Sequence, residues 1–225
     1  MIPSKHNPYI KHGSLVLDLM NIGNGKYRNI LLLERAFTIV LCLILMLTPA
    51  MFVRWVSGRV SRTSRKLAIE LYVLLKVVLS LSALFLSFWH LEYFPLIAVI
   101  CLIDLFSNIV AIVLLRNFWH APLSLNRTLI SLGLNFIEFT AWFAGMYLHF
   151  DALRYNSGPI TDPVSAFYFS VITAATIGFG DIVPTVTGRP LVIAEAFCSF
   201  LFIGVVVTYV IGSLGQSNEA SSQKT

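Results

Sequence analysis

Five stretches of the chain, residues 30–53, 67–89, 95–115, 129–149 and 190–214, are apolar with few interruptions. A helix needs about 20 mostly apolar residues to cross a bilayer, so each stretch predicts a transmembrane helix. Between the fourth and the fifth the pattern changes. A polar stretch, Asp151-Ala-Leu-Arg-Tyr-Asn-Ser-Gly-Pro, leads into an apolar run over 164–175. That run is too short to cross and fits a re-entrant helix buried within protein. The pattern divides the chain into a polar N-terminal segment (1–29), a three-helix region (30–126), a second unit of two helices flanking the re-entrant run (127–214) and a short tail (215–225). Segment 30–53 follows basic residues as a signal sequence would. It is too long for a cleaved apolar core, however, and has no clean small-residue cleavage site, so it reads as a span.

Composition narrows the class. Of 225 residues, 57% are hydrophobic and only 12% charged, against about 25% charged in an average soluble domain. This excludes an ordinary soluble enzyme, and it excludes a disordered chain, which needs low hydrophobicity and high charge. An all-α integral membrane protein remains. The net charge of +5 is spread over short loops with no continuous basic patch, which argues against nucleic-acid binding. Cys42, Cys101 and Cys198 each lie inside an apolar run. They are neither paired nor clustered as a disulfide framework or metal site requires.

The placed charges predict orientation. The loop after the first span carries Arg54, Arg59, Arg62, Arg65 and Lys66 without an acid. The next, His90-Leu-Glu-Tyr-Phe, has no Lys or Arg, and the third, 116–127, is basic again. Basic loops stay cytoplasmic, so the re-entrant run faces outside and the C-terminus lies inside. The N-terminus is then external, although residues 1–29 carry Lys5, Lys11, Lys26 and Arg28 against Asp18. Arg59, Arg62 and Arg65 have the three-residue spacing of a voltage-sensing helix, but Val, Ser and Thr separate them in a hydrophilic connector. They read, with Lys66, as an internal basic loop that fixes orientation and touches anionic lipid. Charges within spans need partners. Lys76 and Asp104 fall at similar depth on antiparallel helices and are predicted to pair, with Asn108 one turn beyond Asp104. Glu138 and Asn135 share a face of the fourth span directed at the third span or a neighbouring subunit. Arg35 and Glu70 sit near span ends.

The informative segment is 162–181. Asp162 is a good N-cap and Pro163 a good first helical residue, so a helix is predicted over 163–175. It cannot continue, because Gly178 and Gly180 alternate with Ile177 and Phe179 and admit left-handed backbone at every second residue. Such alternation lets successive carbonyls point one way. At membrane depth, unpaired carbonyls survive only facing water or a ligand, and a column of carbonyl oxygens is a site for a hard monovalent cation.

Thr173-Ala-Ala-Thr176-Ile-Gly178-Phe179-Gly180-Asp181 resembles the signature of the potassium-channel family, T-x-x-T-x-G-Y/F-G-D. The resemblance covers the last hundred residues or so: outer helix, pore helix, filter over 176–181 and inner helix over 190–214. It implies a homotetramer in which the carbonyls of Thr176, Ile177, Gly178 and Phe179, with the Thr176 hydroxyl, replace the water around K⁺; Gly180 completes the filter. No cofactor is implied beyond K⁺ as the permeant ion. The resemblance also makes Thr173, Tyr168 and Asp181 filter supports, with Tyr168 donating to Asp181. Phe179 stands where tyrosine is commoner, and Ile172 where some bacterial members place a carboxylate. On the inner helix it puts the usual hinge glycine at Ser199, with Gly204 the nearest alternative; Gly204 reads equally as a packing glycine. Ile203, Val207, Thr208 and Ile211 are expected to line the cavity and its cytoplasmic narrowing. Glu195 is expected to bond the pore helix or its neighbours. The alternatives are a less selective cation channel or a non-conducting accessory subunit. A transporter or membrane enzyme would want an inverted repeat or converging ionisable groups, and neither is visible.

Overall fold

In a computed structural model the described residues are 17, 32–49, 52–53, 62–114, 125–155 and 158–222. Outside them lie the rest of the N-terminal segment, on which its orientation turns, with Arg54, Arg59 and 115–124 of the third loop. Six helices are described: α1 (Leu32–Leu47), α2 (Arg62–Phe85), α3 (Phe94–Leu114), α4 (Leu125–His149), α5 (Pro163–Ala174) and α6 (Arg189–Ser222). Three of the five expected spans have, among the described residues, a helix long and apolar enough to cross a membrane: Leu67–Phe85, Thr128–His149 and Arg189–Ile211. The apolar helices at the other two, Ala36–Leu47 and Phe94–Val110, are shorter.

Helix ends depart from the hydrophobic pattern for identifiable reasons. The second apolar stretch runs on to Trp89, but α2 stops at Phe85 because the chain turns through Ser87 in a left-handed conformation (φ 61°) into a 3-10 turn, Phe88–His90. Trp89 is thereby folded back into the core, where its carbonyl meets His149 Nδ1 at 2.7 Å. Arg62, Arg65 and Lys66 belong to the opening of α2 rather than to a loop. The inner helix continues beyond 214 to Ser222, so most of the expected tail is helical. Gly215 weakens such an extension by only about 1 kcal/mol.

The purely helical expectation missed one element. Between α4 and α6 lie three short strands, β1 (Leu153–Tyr155), β2 (Gly158–Pro159) and β3 (Val183–Pro184), in the antiparallel order β2-β1-β3. The prolines end the two outer strands, which are edges and need no further donor. This small sheet ties the polar stretch before α5 to the segment after the filter. Gly188 lets the start of α6 pass close by, since a Cβ there would strike the Ala152 carbonyl.

The core is built around α4, which touches α2, α3, α5 and α6. Every residue over 141–148 is buried. Phe139, Phe143 and Tyr147 form a ladder of rings along it that ends edge-on against Phe169 of α5, and Phe202 of α6 stacks on Phe139. Helix α5 begins where its chemistry dictates. Asp162 Oδ2 accepts the Ser165 N–H at 2.8 Å, and Pro163 occupies the first turn. That bond holds the Asp162 carboxyl below its ordinary value of 3.8.

Asp162→Ala should destabilise the protein by about 1 kcal/mol, and Asp162→Asn by much less, because asparagine still caps. A group whose pKa is lowered by folding stabilises above its unfolded value. The stability difference between the wild type and the Asp162→Asn variant should therefore be full above about pH 5 and shrink as pH falls further. Thermal unfolding of purified protein at several pH values measures both.

Candidate functional site

The end of α5 sets the geometry of the motif. Helix α5 closes in a Schellman arrangement: the Thr176 N–H donates to Thr173 O at 3.0 Å and the Ile177 N–H to Ile172 O at 2.8 Å. The Gly178 N–H reaches the same Ile172 oxygen at 3.3 Å. Glycine usually takes the left-handed position of such a cap; here Thr176 does, at φ 59°. A β-branched residue is rarely found there, and the conformation costs on the order of 1–3 kcal/mol. Gly178 (φ 54°) and Gly180 (φ 80°) follow, so every second residue from 176 to 180 is left-handed.

This has a direct consequence for the carbonyls. Across a trans peptide the C=O points opposite to the following N–H, and no cis peptide is present among the described residues. Because the amides of Ile177 and Gly178 both turn back to Ile172 O, the carbonyls of Thr176 and Ile177 both turn away from the pore helix. Residues 175–181 are exposed on the single chain, Ile177 by 56% and Phe179 by 69%. An open crevice of about 410 Å³ beside the loop is lined by Ile172, Thr173, Thr176, Gly178, Ile182 and Val192 among others. Thr173 and Tyr168 are half-buried, and Asp181 is exposed. The Tyr168 phenol is pushed above its ordinary value, by partial desolvation first and then by the neighbouring Asp181 carboxylate.

Glu195 binds the three helices of this unit together. It is fully buried on α6; one carboxylate oxygen accepts the Tyr147 hydroxyl of α4 at 2.5 Å and the other accepts the Ser170 hydroxyl of α5. Ser170 lies one turn before the Thr173–Ala174 end of α5, so the hub sits close behind the filter loop. Sequence reasoning brought Glu195 to the pore helix but gave no sign of Tyr147, which looks like any aromatic in an apolar span.

On α6, Ile203, Gly204, Val207, Thr208 and Ile211 are all exposed. At three- and four-residue spacing they form one face, continued by Phe197 and Phe200. A Cβ on Gly204 would meet nothing within 4 Å, so it packs against nothing in its own subunit among the described residues. The Thr208 hydroxyl donates to the Gly204 carbonyl at 2.7 Å. Ser199 is placed differently. It is 2% exposed, on the inward side, and donates to the Glu195 carbonyl at 2.8 Å.

Away from the filter, Lys76 Nζ lies 2.9 Å from Asp104 Oδ2 and 3.1 Å from Glu138 Oε1. Tyr72 donates to Asp104 at 3.0 Å and Asn108 at 3.3 Å. The structure thus brings Lys76 and Asp104 together and adds Glu138, whose partner the sequence sought on the third span or in another subunit. Cys42, Cys101 and Cys198 are free.

Residues 134–216 match a family model described as ion channel. The stretch takes in most of α4, all of α5, the loop that follows it and the greater part of α6. Over residues 134–216 the chain thus has an ion-channel domain, and this together with the long apolar helices supports a membrane protein. No curated protein and no solved structure matches it.

Tyr147→Phe and Ser170→Ala each remove one hydrogen bond to the buried Glu195 carboxyl group and should cost about 1–3 kcal/mol. Glu195→Ala strands both hydroxyls and should cost more than either. Unfolding of the three single variants and the Tyr147→Phe/Ser170→Ala double variant checks this; additivity within the double would show that the two hydroxyls do not share one acceptor group.

Proposed function

We propose that the protein is a potassium-selective channel in which four copies surround one axis and present residues 176–180 to it. The observation that carries the reading is the pair of amides, Ile177 and Gly178, held on the Ile172 carbonyl. They turn two successive carbonyls outward from the protein, in a segment where the described residues of α4, α5 and α6 leave no donor to pair them. In a membrane such oxygens need water or a cation. Four copies of each would provide rings of oxygen dipoles able to stand in for the hydration shell of K⁺. The alternating left-handed residues at 176, 178 and 180 extend the same arrangement through Gly178 and Phe179. Thr173, Tyr168 and Asp181 support the loop from the α5 side and the outer mouth.

The exposed face of α6 supports the same assembly. Ile203, Val207 and Ile211 form an apolar surface that neither α4 nor α5 covers, and in a tetramer it would line a cavity and narrow it toward the cytoplasm. An apolar ring there closes a pore by dewetting. Gly204 is the candidate hinge; Ser199 contributes through its bond behind the filter. Segments 30–53 and 95–115 complete five spans, with the C-terminus cytoplasmic, the N-terminus external and anionic lipid at Arg59, Arg62, Arg65 and Lys66. The protein carries no catalytic chemistry in this reading and needs no cofactor beyond the ion it conducts.

Purified protein in liposomes should pass K⁺ down its gradient, be blocked by Ba²⁺, and give a reversal potential in mixed K⁺ and Na⁺ that follows K⁺. Gly178→Ala meets no steric clash, yet it forces a Cβ into left-handed backbone at a cost of about 1–2 kcal/mol. It should assemble and lose conduction. A reversal potential indifferent to which of the two ions is exchanged would mean a less selective cation channel. Absence of flux in correctly assembled protein would mean an accessory subunit.

A further inference from the structure

The buried cluster on α2, α3 and α4 has an odd charge count. Fully ionised, Lys76 contributes +1 and Asp104 and Glu138 −1 each, leaving −1. The site is closed: Glu138 is 0% and Asp104 3% exposed. An uncompensated charge in a membrane interior is expensive, and two carboxylates sharing one cation cannot both hold their charge cheaply. Among the described residues the surroundings offer no second cation. Glu138 faces Lys76 of α2, Asp104 of α3 and Trp142 of its own helix, and no charged group of α6 is among its neighbours. Tyr72 on α2 and Cys101 on α3 complete the titratable groups around the cluster.

The two acids are not equivalent. Asp104 receives Lys76, the Tyr72 hydroxyl and the Asn108 amide, the donor set an ionised carboxylate needs. Among the described residues Glu138 has only Lys76 at its Oε1; no hydrogen bond closes on its Oε2, and Trp142 Nε1, one turn further along α4, is near but forms none. We propose that Glu138 is a proton-binding site within the membrane, carrying one proton per subunit at neutral pH and closing the charge of the Lys76–Asp104–Glu138 triad. A metal ion is a poorer occupant. A hard monovalent cation wants several oxygens, whereas the triad's free acceptors are Glu138 Oε2 and Asn108 Oδ1, and Lys76 already occupies the approach between the carboxylates. A proton needs only one oxygen.

The site lies where α2 and α3 meet α4 of the ion-channel domain, so the proton's presence or absence would be felt by α4 directly. The inference does not depend on which ion the pore conducts, and its test uses no flux. Infrared spectra of the protein in liposomes, recorded through a pH titration, read the C=O stretch of a protonated carboxyl. Glu195, a buried acid outside the cluster, contributes alike to wild type and variants, so wild-type-minus-variant difference spectra isolate the cluster. The difference against Glu138→Gln should show a band at neutral pH that disappears at high pH. Asp104→Asn leaves Lys76 and Glu138 as a neutral ion pair, so the band should vanish at neutral pH although Glu138 is intact. Lys76→Met removes the cluster's cation, so the band should grow roughly twofold, as each acid then takes a proton. No band at neutral pH in the wild-type-minus-Glu138→Gln difference, or none in the wild-type-minus-Asp104→Asn difference, would overturn the proposal. So would the band's loss on adding Na⁺ at fixed pH, which would assign the site to a metal ion. Circular dichroism identifies any variant that has failed to fold, and the remaining variants then decide.

Discussion

At the end of α5 a single carbonyl oxygen, that of Ile172, accepts two consecutive amides, those of Ile177 and Gly178. The geometry of the pore half follows from this sharing. It stops the helix, drives Thr176 into a conformation that a β-branched residue avoids, and fixes which way the first two carbonyls of the loop face. A helix end normally leaves carbonyls unpaired and amides spent. Here the chain beyond the helix supplies the amides, and the unpaired oxygens are displaced one step onward into the loop. The strain at Thr176 is then explicable, since the cap bonds at 2.8 and 3.0 Å hold it.

Rigidity behind that end comes from Glu195. A carboxylate held by hydroxyls from α4 and α5 ties all three helices of the ion-channel domain within one turn of the filter loop. The ring ladder from Phe139 to Phe169 runs down the same line. Two buried acid sites therefore lie on the interior side of α4 and α6, with opposite character. Glu195 is saturated by neutral donors. Glu138 is short of donors and long on charge, and it joins the domain to the helices that precede it.

Much of this was legible in the sequence because its signals are local. Asp162, Pro163, Gly178 and Gly180 each act on their own backbone, so the limits of α5 and the alternation after it could be read directly. The depth of Lys76 and Asp104 follows from helix direction alone. Other features depend on how helices rotate against each other, which no spacing reveals. Tyr147 is one of several aromatics on α4, and only packing selects it for Glu195. Glu138 needed the angle between α2 and α4 to find Lys76. Left-handed backbone at Ser87 and Thr176 runs against residue preference and is imposed by the surroundings, so the end of α2 and the cap of α5 were hidden. The hydrophobic pattern also gave no hint of the small sheet, whose strands are too short to show alternation.

The account rests on carbonyl oxygens of Thr176, Ile177, Gly178 and Phe179 converging on a shared axis. The most direct measurement is an experimental structure of the assembled protein in a membrane mimetic with Rb⁺ in place of K⁺, located by its anomalous scattering. The account predicts Rb⁺ on a four-fold axis between successive rings of these oxygens. An assembly without a four-fold axis, or Rb⁺ absent from an axis flanked by residues 176–179, would contradict it.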